Sequence, residues 1–177
     1  MLKGELMETF NFKESCFFTG HRMIANNEIP DIMHMTEKLC IKLIEEYGVK
    51  HFISGAAMGY DMLAANIVLN LKKQYPLIML HLYLPCRNQS QRWKPAYKAE
   101  WDKLIKLADE KKYIYDGNYV DGCMQLRNTE MVNDAYYGIA FCKRNTGGTY
   151  DTIKKAIQNK RFICILPSQQ TFGVMTA

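Results

Sequence analysis

Along the chain, short apolar runs rich in β-branched and aromatic residues alternate with longer stretches in which apolar residues recur every three or four positions. The runs fall at residues 16–19, 51–54, 78–84, 113–115, 137–142 and 162–166, and each reads as a strand. Ile32, Met35, Leu39, Leu43, Ile44 and Tyr47 share one helical face, and Trp93, Tyr97, Trp101, Leu104, Ile105 and Ala108 share another. Residues 60–71 are apolar around most of a helical circumference, which predicts a well-buried helix; shorter helices are predicted at 124–135 and 149–159. Alternation of this kind implies βαβ crossovers and a three-layer, Rossmann-like α/β domain, its mostly parallel sheet flanked by helices. The strands are continuous rather than alternating apolar runs, as expected for burial on both faces. No repeat, low-complexity tract or charge block suggests a boundary. Residues 1–177 therefore read as one domain with a core at about 14–167, and residues 1–12 and 168–177 read as loosely held ends.

Open α/β sheets bind ligands beyond the carboxyl ends of their strands, so the residues that follow each run are the candidates. After the first come Gly20, His21 and Arg22. The glycine permits close backbone approach, and the arginine fork suits a phosphate or carboxylate; the alternative is that Arg22 pairs with an acidic neighbour and His21 merely packs. After the second comes a small-residue loop, Gly55-Ala56-Ala57-Met58-Gly59, which opens directly into a helix carrying Asp61. Backbone N–H groups and the helix dipole there make a natural anion site, although the loop is neither the dinucleotide fingerprint nor the Walker loop. Asp61 could cap the helix or take a ribose hydroxyl. After the fifth run, Gly147-Gly148-Thr149 opens another helix and offers N–H donors and a hydroxyl to a phosphate. Arg127 and Asn128 either clamp a second polar part of the ligand or serve helix-end hydrogen bonds.

Composition changes this picture little. A net charge of +5 permits an anionic ligand, but the cations are dispersed among acidic partners and do not argue for nucleic acid. The six cysteines include no CxxC or other metal-type spacing, and three of them sit inside apolar runs, so they read as reduced and no metal site is expected. With no signal-peptide h-region and no apolar run of spanning length, the chain reads as cytoplasmic, with no membrane partner.

Taken in order, Cys16-Phe17-Phe18-Thr19-Gly20-His21-Arg22, then Ser54-Gly55-Ala56-Ala57-Met58-Gly59-Tyr60-Asp61, then Pro85 with Gln89 and Trp93, resemble the YpsA-like family of the SLOG superfamily. Gly122-Cys123-Met124, Arg127-Asn128, Met131-Val132 and Gly147-Gly148-Thr149 continue the likeness to about Pro167. The resemblance implies a Rossmann-like fold and a nucleotide or nucleotide-derived, ADP-ribose-like ligand, bound or sensed without a required cofactor. Related branches include the DNA-processing DprA-like proteins and the Lonely Guy phosphoribohydrolases, so N-glycosidic hydrolysis and DNA binding are the alternatives. Lonely Guy enzymes carry Pro-Gly-Gly-x-Gly-Thr-x-x-Glu. Here Thr146-Gly147-Gly148-Thr149-Tyr150-Asp151-Thr152 lacks the Pro, the third Gly and the Glu in register, which leaves Asp61 and Asp151 as candidate carboxylates. Self-association is a further expectation for such proteins.

Overall fold

A computed structural model describes residues 11–175. Its strands are β1 (Ser15–Gly20), β2 (His51–Ser54), β3 (Met79–Leu84), β4 (Glu110–Tyr113), β5 (Tyr137–Phe141), β6 (Phe162–Leu166) and β7 (Gln170–Phe172). The helices are α1 (Ile29–Tyr47), α2 (Tyr60–Leu71), α3 (Pro95–Leu107), α4 (Cys123–Asn133) and α5 (Gly148–Gln158). The seven strands form one sheet in the order β4-β3-β2-β1-β5-β6-β7, parallel throughout except for the β6–β7 pair. The expected α/β Rossmann-like architecture is therefore the observed one.

Two cores follow from the period-2 geometry of the strands. Cys16, Phe18, Phe52, Leu80, Leu82, Ile139 and Phe141 point to one face, where α1, α2 and α3 supply Leu43, Ile67 and Leu104. Phe17, Ile53, Tyr83, Ala140 and Ile163 point to the other and meet Met131 of α4 and Ile153 of α5. A strand sandwiched in this way needs apolar residues at consecutive positions, which is why five strands are plain in the hydropathy pattern.

Three expectations are corrected. The fourth strand lies at Glu110–Tyr113 rather than 113–115: it is an edge strand with exposed Glu110, Lys111 and Lys112, so it lacks the apolar signature of a central one. α3 starts at Pro95, a residue suited to a first helical turn, which leaves Trp93 in the preceding turn, still packed on the first core, and Tyr97 half exposed. The ends within the described residues are not loose. Phe12 sits edge-on to Tyr136 with the Arg161 guanidinium 4.3 Å from its ring centroid. At the other end, residues 170–172 form β7, which pairs antiparallel with β6. The remainder of both predicted ends lies outside the described residues. No helix among the described residues is long and apolar enough to cross a membrane, and all six cysteines are free.

Candidate functional site

Strand order reverses between β1 and β5, whose register runs from Cys16 opposite Tyr137 to Gly20 opposite Phe141. Chains leaving these two strands turn away in opposite directions and open a crevice between them. A cleft of about 710 Å³ occupies that position. Its lining brings together Gly20, His21 and Arg22 after β1, Ala57 and Asp61 around the start of α2, Arg127 and Asn128 on α4, and Gly147, Gly148 and Thr149 at the start of α5.

The β1 turn and the start of α2 are held backbone to backbone. Tyr60 N–H donates to the His21 carbonyl at 3.1 Å. A Cβ on Gly20 would collide with the Tyr60 side chain, and one on Gly59 would collide with the carbonyls of His21 and Arg22. Gly59 also has φ of +86°, in the region that side-chain-bearing residues avoid. Gly59→Ala is accordingly expected to lose about 2–3 kcal/mol of unfolding free energy, measured by urea denaturation, and to displace Arg22 with it.

The two glycine-bearing turns prove chemically unlike. At α2 the amides are largely spent within the chain: Ala56 N–H donates to Ser54 Oγ, Tyr60 N–H to the His21 carbonyl and Met62 N–H to the Ala57 carbonyl. Its first turn carries the Asp61 carboxyl, which is 6 % exposed and lies at the cleft surface. Burial raises that carboxyl from 3.8 to about 6, against the opposing pull of Arg127, the amides of Ala57 and Gly55, and Arg22. At α5 the first intrahelical bond runs from Asp151 N–H to the Gly147 carbonyl. The N–H groups of Gly148 and Thr149 therefore precede the ladder, and they find no acceptor among the described residues.

Arg127 forms the floor. It is 5 % exposed and donates from Nη1 to the Gly55 carbonyl at 2.5 Å and from Nε to Asn128 Oδ1 at 2.7 Å. The Gly55 carbonyl also accepts from Gln89 Nε2 at 3.0 Å, and Gln89 Oε1 in turn accepts from Trp101 Nε1. A Cβ on Gly55 would run into both the Arg127 guanidinium and the Asp61 carboxylate, so this glycine leaves room for the pair.

At the rim, His21 Nε2 accepts a 2.8 Å hydrogen bond from Lys143 N–H, which places the proton of the neutral ring on Nδ1. Burial, then the charges of Arg144 and Lys143, lower the His21 pKa and keep it neutral near pH 7. Lys143 Nζ is paired with Glu28 at 2.7 Å, whereas Arg22 and Arg144 make no ion pair among the described residues.

Of the residues expected at the site, Gly55 and Gly59 lie behind the cleft surface, and Asp151 is exposed on α5 and bridges to Lys154 at 2.9 Å. Lys143, Arg144 and Met23 line the cleft without having been named, and Thr19, Met124 and Thr146, quoted only within motifs, join them. The two cations follow β5 directly, so inspection of every strand end would have found them. Among the described residues no group of three or more His, Cys, Asp or Glu side chains is placed to hold a metal ion.

Known proteins resemble the chain in sequence or in fold. A UPF0398 protein of Oceanobacillus iheyensis is 32 % identical over 149 residues, covering 80 % of this chain and 79 % of the relative. DNA processing protein A of Helicobacter pylori, described for its single-stranded DNA binding mode, superposes with a TM-score of 0.64 at 15 % identity. That match takes in 86 % of this chain and 65 % of the other. The Streptococcus pneumoniae DprA does so at 0.63 and 14 %, over 86 % of this chain and 50 % of its own. At such identities these two likenesses speak for the fold. The YpsA SLOG family profile matches residues 17–163, nearly the whole of the described sheet and its helices. The chain belongs to the YpsA-like SLOG family.

Proposed function

We propose that the cleft binds a nucleotide or nucleotide-derived ligand, with a phosphoryl group on the amino end of α5 and Arg22 and Arg144 supplying countercharge. The observation that carries this reading is the pair of unspent amides at Gly148 and Thr149, in the lining of a crevice whose only acid among the described residues is Asp61. Such an end attracts anions through both its N–H groups and its dipole. Arg127 and Asn128 fix the floor, and no cofactor is needed for binding. A Gly148→Asp variant tests the reading cleanly. A Cβ there meets nothing within 4 Å, and a carboxylate in a first turn does not harm the helix. The variant is expected to keep its melting temperature and to lose affinity at least about 100-fold, read by calorimetry against a nucleotide panel. Unchanged affinity would refute the placement of the phosphoryl group.

A second reading, hydrolysis of an N-glycosidic bond, is favoured by Asp61: a cleft carboxyl near 6 is suited to proton transfer close to neutral pH. Asp151, outside the lining and paired with Lys154, does not support it. Release of free base from nucleoside monophosphates by the wild type, lost in Asp61→Ala, is the expected result under that reading. DNA binding would draw on the Arg22, Lys143 and Arg144 rim, and a gel shift that weakens steeply with salt tests it.

A further inference from the structure

Resting on the nucleotide-binding reading, we propose that the site selects a ribonucleotide with one terminal phosphoryl group, its sugar hydroxyls donating to Asp61, over pyrophosphate-bridged and 2′-deoxy ligands.

A pyrophosphate needs two sets of donors. Among the described residues, α5 begins with two unspent amides in the cleft lining, Gly148 and Thr149, whereas at α2 only the Asp61 N–H is left without an acceptor and its own carboxyl stands beside it. The α2 amides of Tyr60 and Met62 are bonded within the chain, and Asp61 beside them repels a second phosphate. α1 opens on Glu28 and Asp31, two carboxylates, and Glu28 is already bound to Lys143. The charge balance agrees. Arg22 and Arg144 carry two positive charges without ion pairs among the described residues, beside the α5 dipole, matching a terminal monoester of charge about −1.5 to −2.

Asp61 carries the other half of the argument. It is more than nine-tenths buried and lines the cleft; the Ala57 and Gly55 amides meet part of its accepting capacity, and no side chain among the described residues donates to it. An ionised carboxylate is acceptor-only, so what completes it is a donor without negative charge. A ribose diol offers two hydroxyl protons to its two oxygens. A deoxyribose leaves one oxygen buried and unmatched, the kind of loss that sites built on hydrogen bonding reject strongly.

The test is calorimetry on the full chain at about pH 7.5 with AMP, CMP, GMP and UMP, their 2′-deoxy counterparts, and ADP-ribose. At least one ribonucleoside monophosphate is expected to bind, with its 2′-deoxy form and ADP-ribose each at least about tenfold weaker. In Asp61→Ala the ribo-to-deoxy ratio is expected to fall toward one, while sensitivity to Gly148→Asp persists. Equal affinity for ribo and deoxy forms, or tighter binding of ADP-ribose, would overturn this selectivity and leave nucleotide binding standing. Failure of every compound to bind would overturn both.

Discussion

An Asp61→Asn variant is expected to be more stable than the wild type at pH 7, by up to about 3 kcal/mol, and to match it near pH 4 and below. The reason is the environment of the acid. Burial within the start of α2 raises the folded-state carboxyl from 3.8 to about 6, and Arg127, Ala57, Gly55 and Arg22 offset only part of that cost. Between these two values the folded chain keeps a proton that the unfolded chain has released. Stability from the neutral form is thus complete below about pH 4, declines as pH rises through 6, and is gone above it. Asparagine reproduces the uncharged state at every pH. Urea unfolding of both proteins between pH 4 and 8 measures the difference directly, and a difference that does not vary with pH would contradict it.

The complementary change, Arg127→Ala, is expected to destabilise the chain by about 3–5 kcal/mol. It removes the Nη1 bond to the Gly55 carbonyl and the Nε bond to Asn128, and it strips Asp61 of its strongest opposing charge. The loss should therefore be greater at pH 8, where Asp61 is ionised, than at pH 5. Arg127→Met, which restores bulk without charge, separates packing from electrostatics. Combining it with Asp61→Asn should cost less than the sum of the separate effects, because neutralising the acid removes the need for the cation. Melting curves of the four proteins at the two pH values would show additivity if the residues were independent.

How far these features were legible depends on whether the cause was local. β1, β2, β3, β5 and β6 are sandwiched between helices, so each leaves an unbroken apolar run that anyone can read. β4 is flanked by solvent on one edge and reads as charge. β7 is three residues long, with Phe172 alone packed inward against the second core, and no periodicity can develop over that length. At the site, position followed from the rule for strand ends, and the lining includes Arg22, Asp61 and Gly148 as that rule implies, with Arg127 reaching it from within α4. What local sequence could not reveal is the different state of the two glycine turns. Both open helices and both look ready for an anion. Only the fold brings the His21 carbonyl onto Tyr60 N–H and so removes one of them from use. Gln89 stood out only as part of a matching motif; that it braces the Gly55 carbonyl, thirty-four residues away, with Trp101 of α3 bonded behind it, was similarly hidden.

The antiparallel pairing of β7 on β6 has a consequence for handling the protein. Residues 162–166 read Phe-Ile-Cys-Ile-Leu, and the free ladder of such a strand is a template for self-templated cross-strand assembly. The opposite margin of the sheet is guarded by its lysines. Here the guard is the chain's own tail: Gln170, Thr171 and Phe172 fill the ladder of Ile165, Cys164 and Ile163. A chain ended at Pro167 would keep every cleft residue and still expose that seam, and is expected to form fibrils more readily than the full chain. Residues 170–172 thus act as an intramolecular chaperone for the sheet.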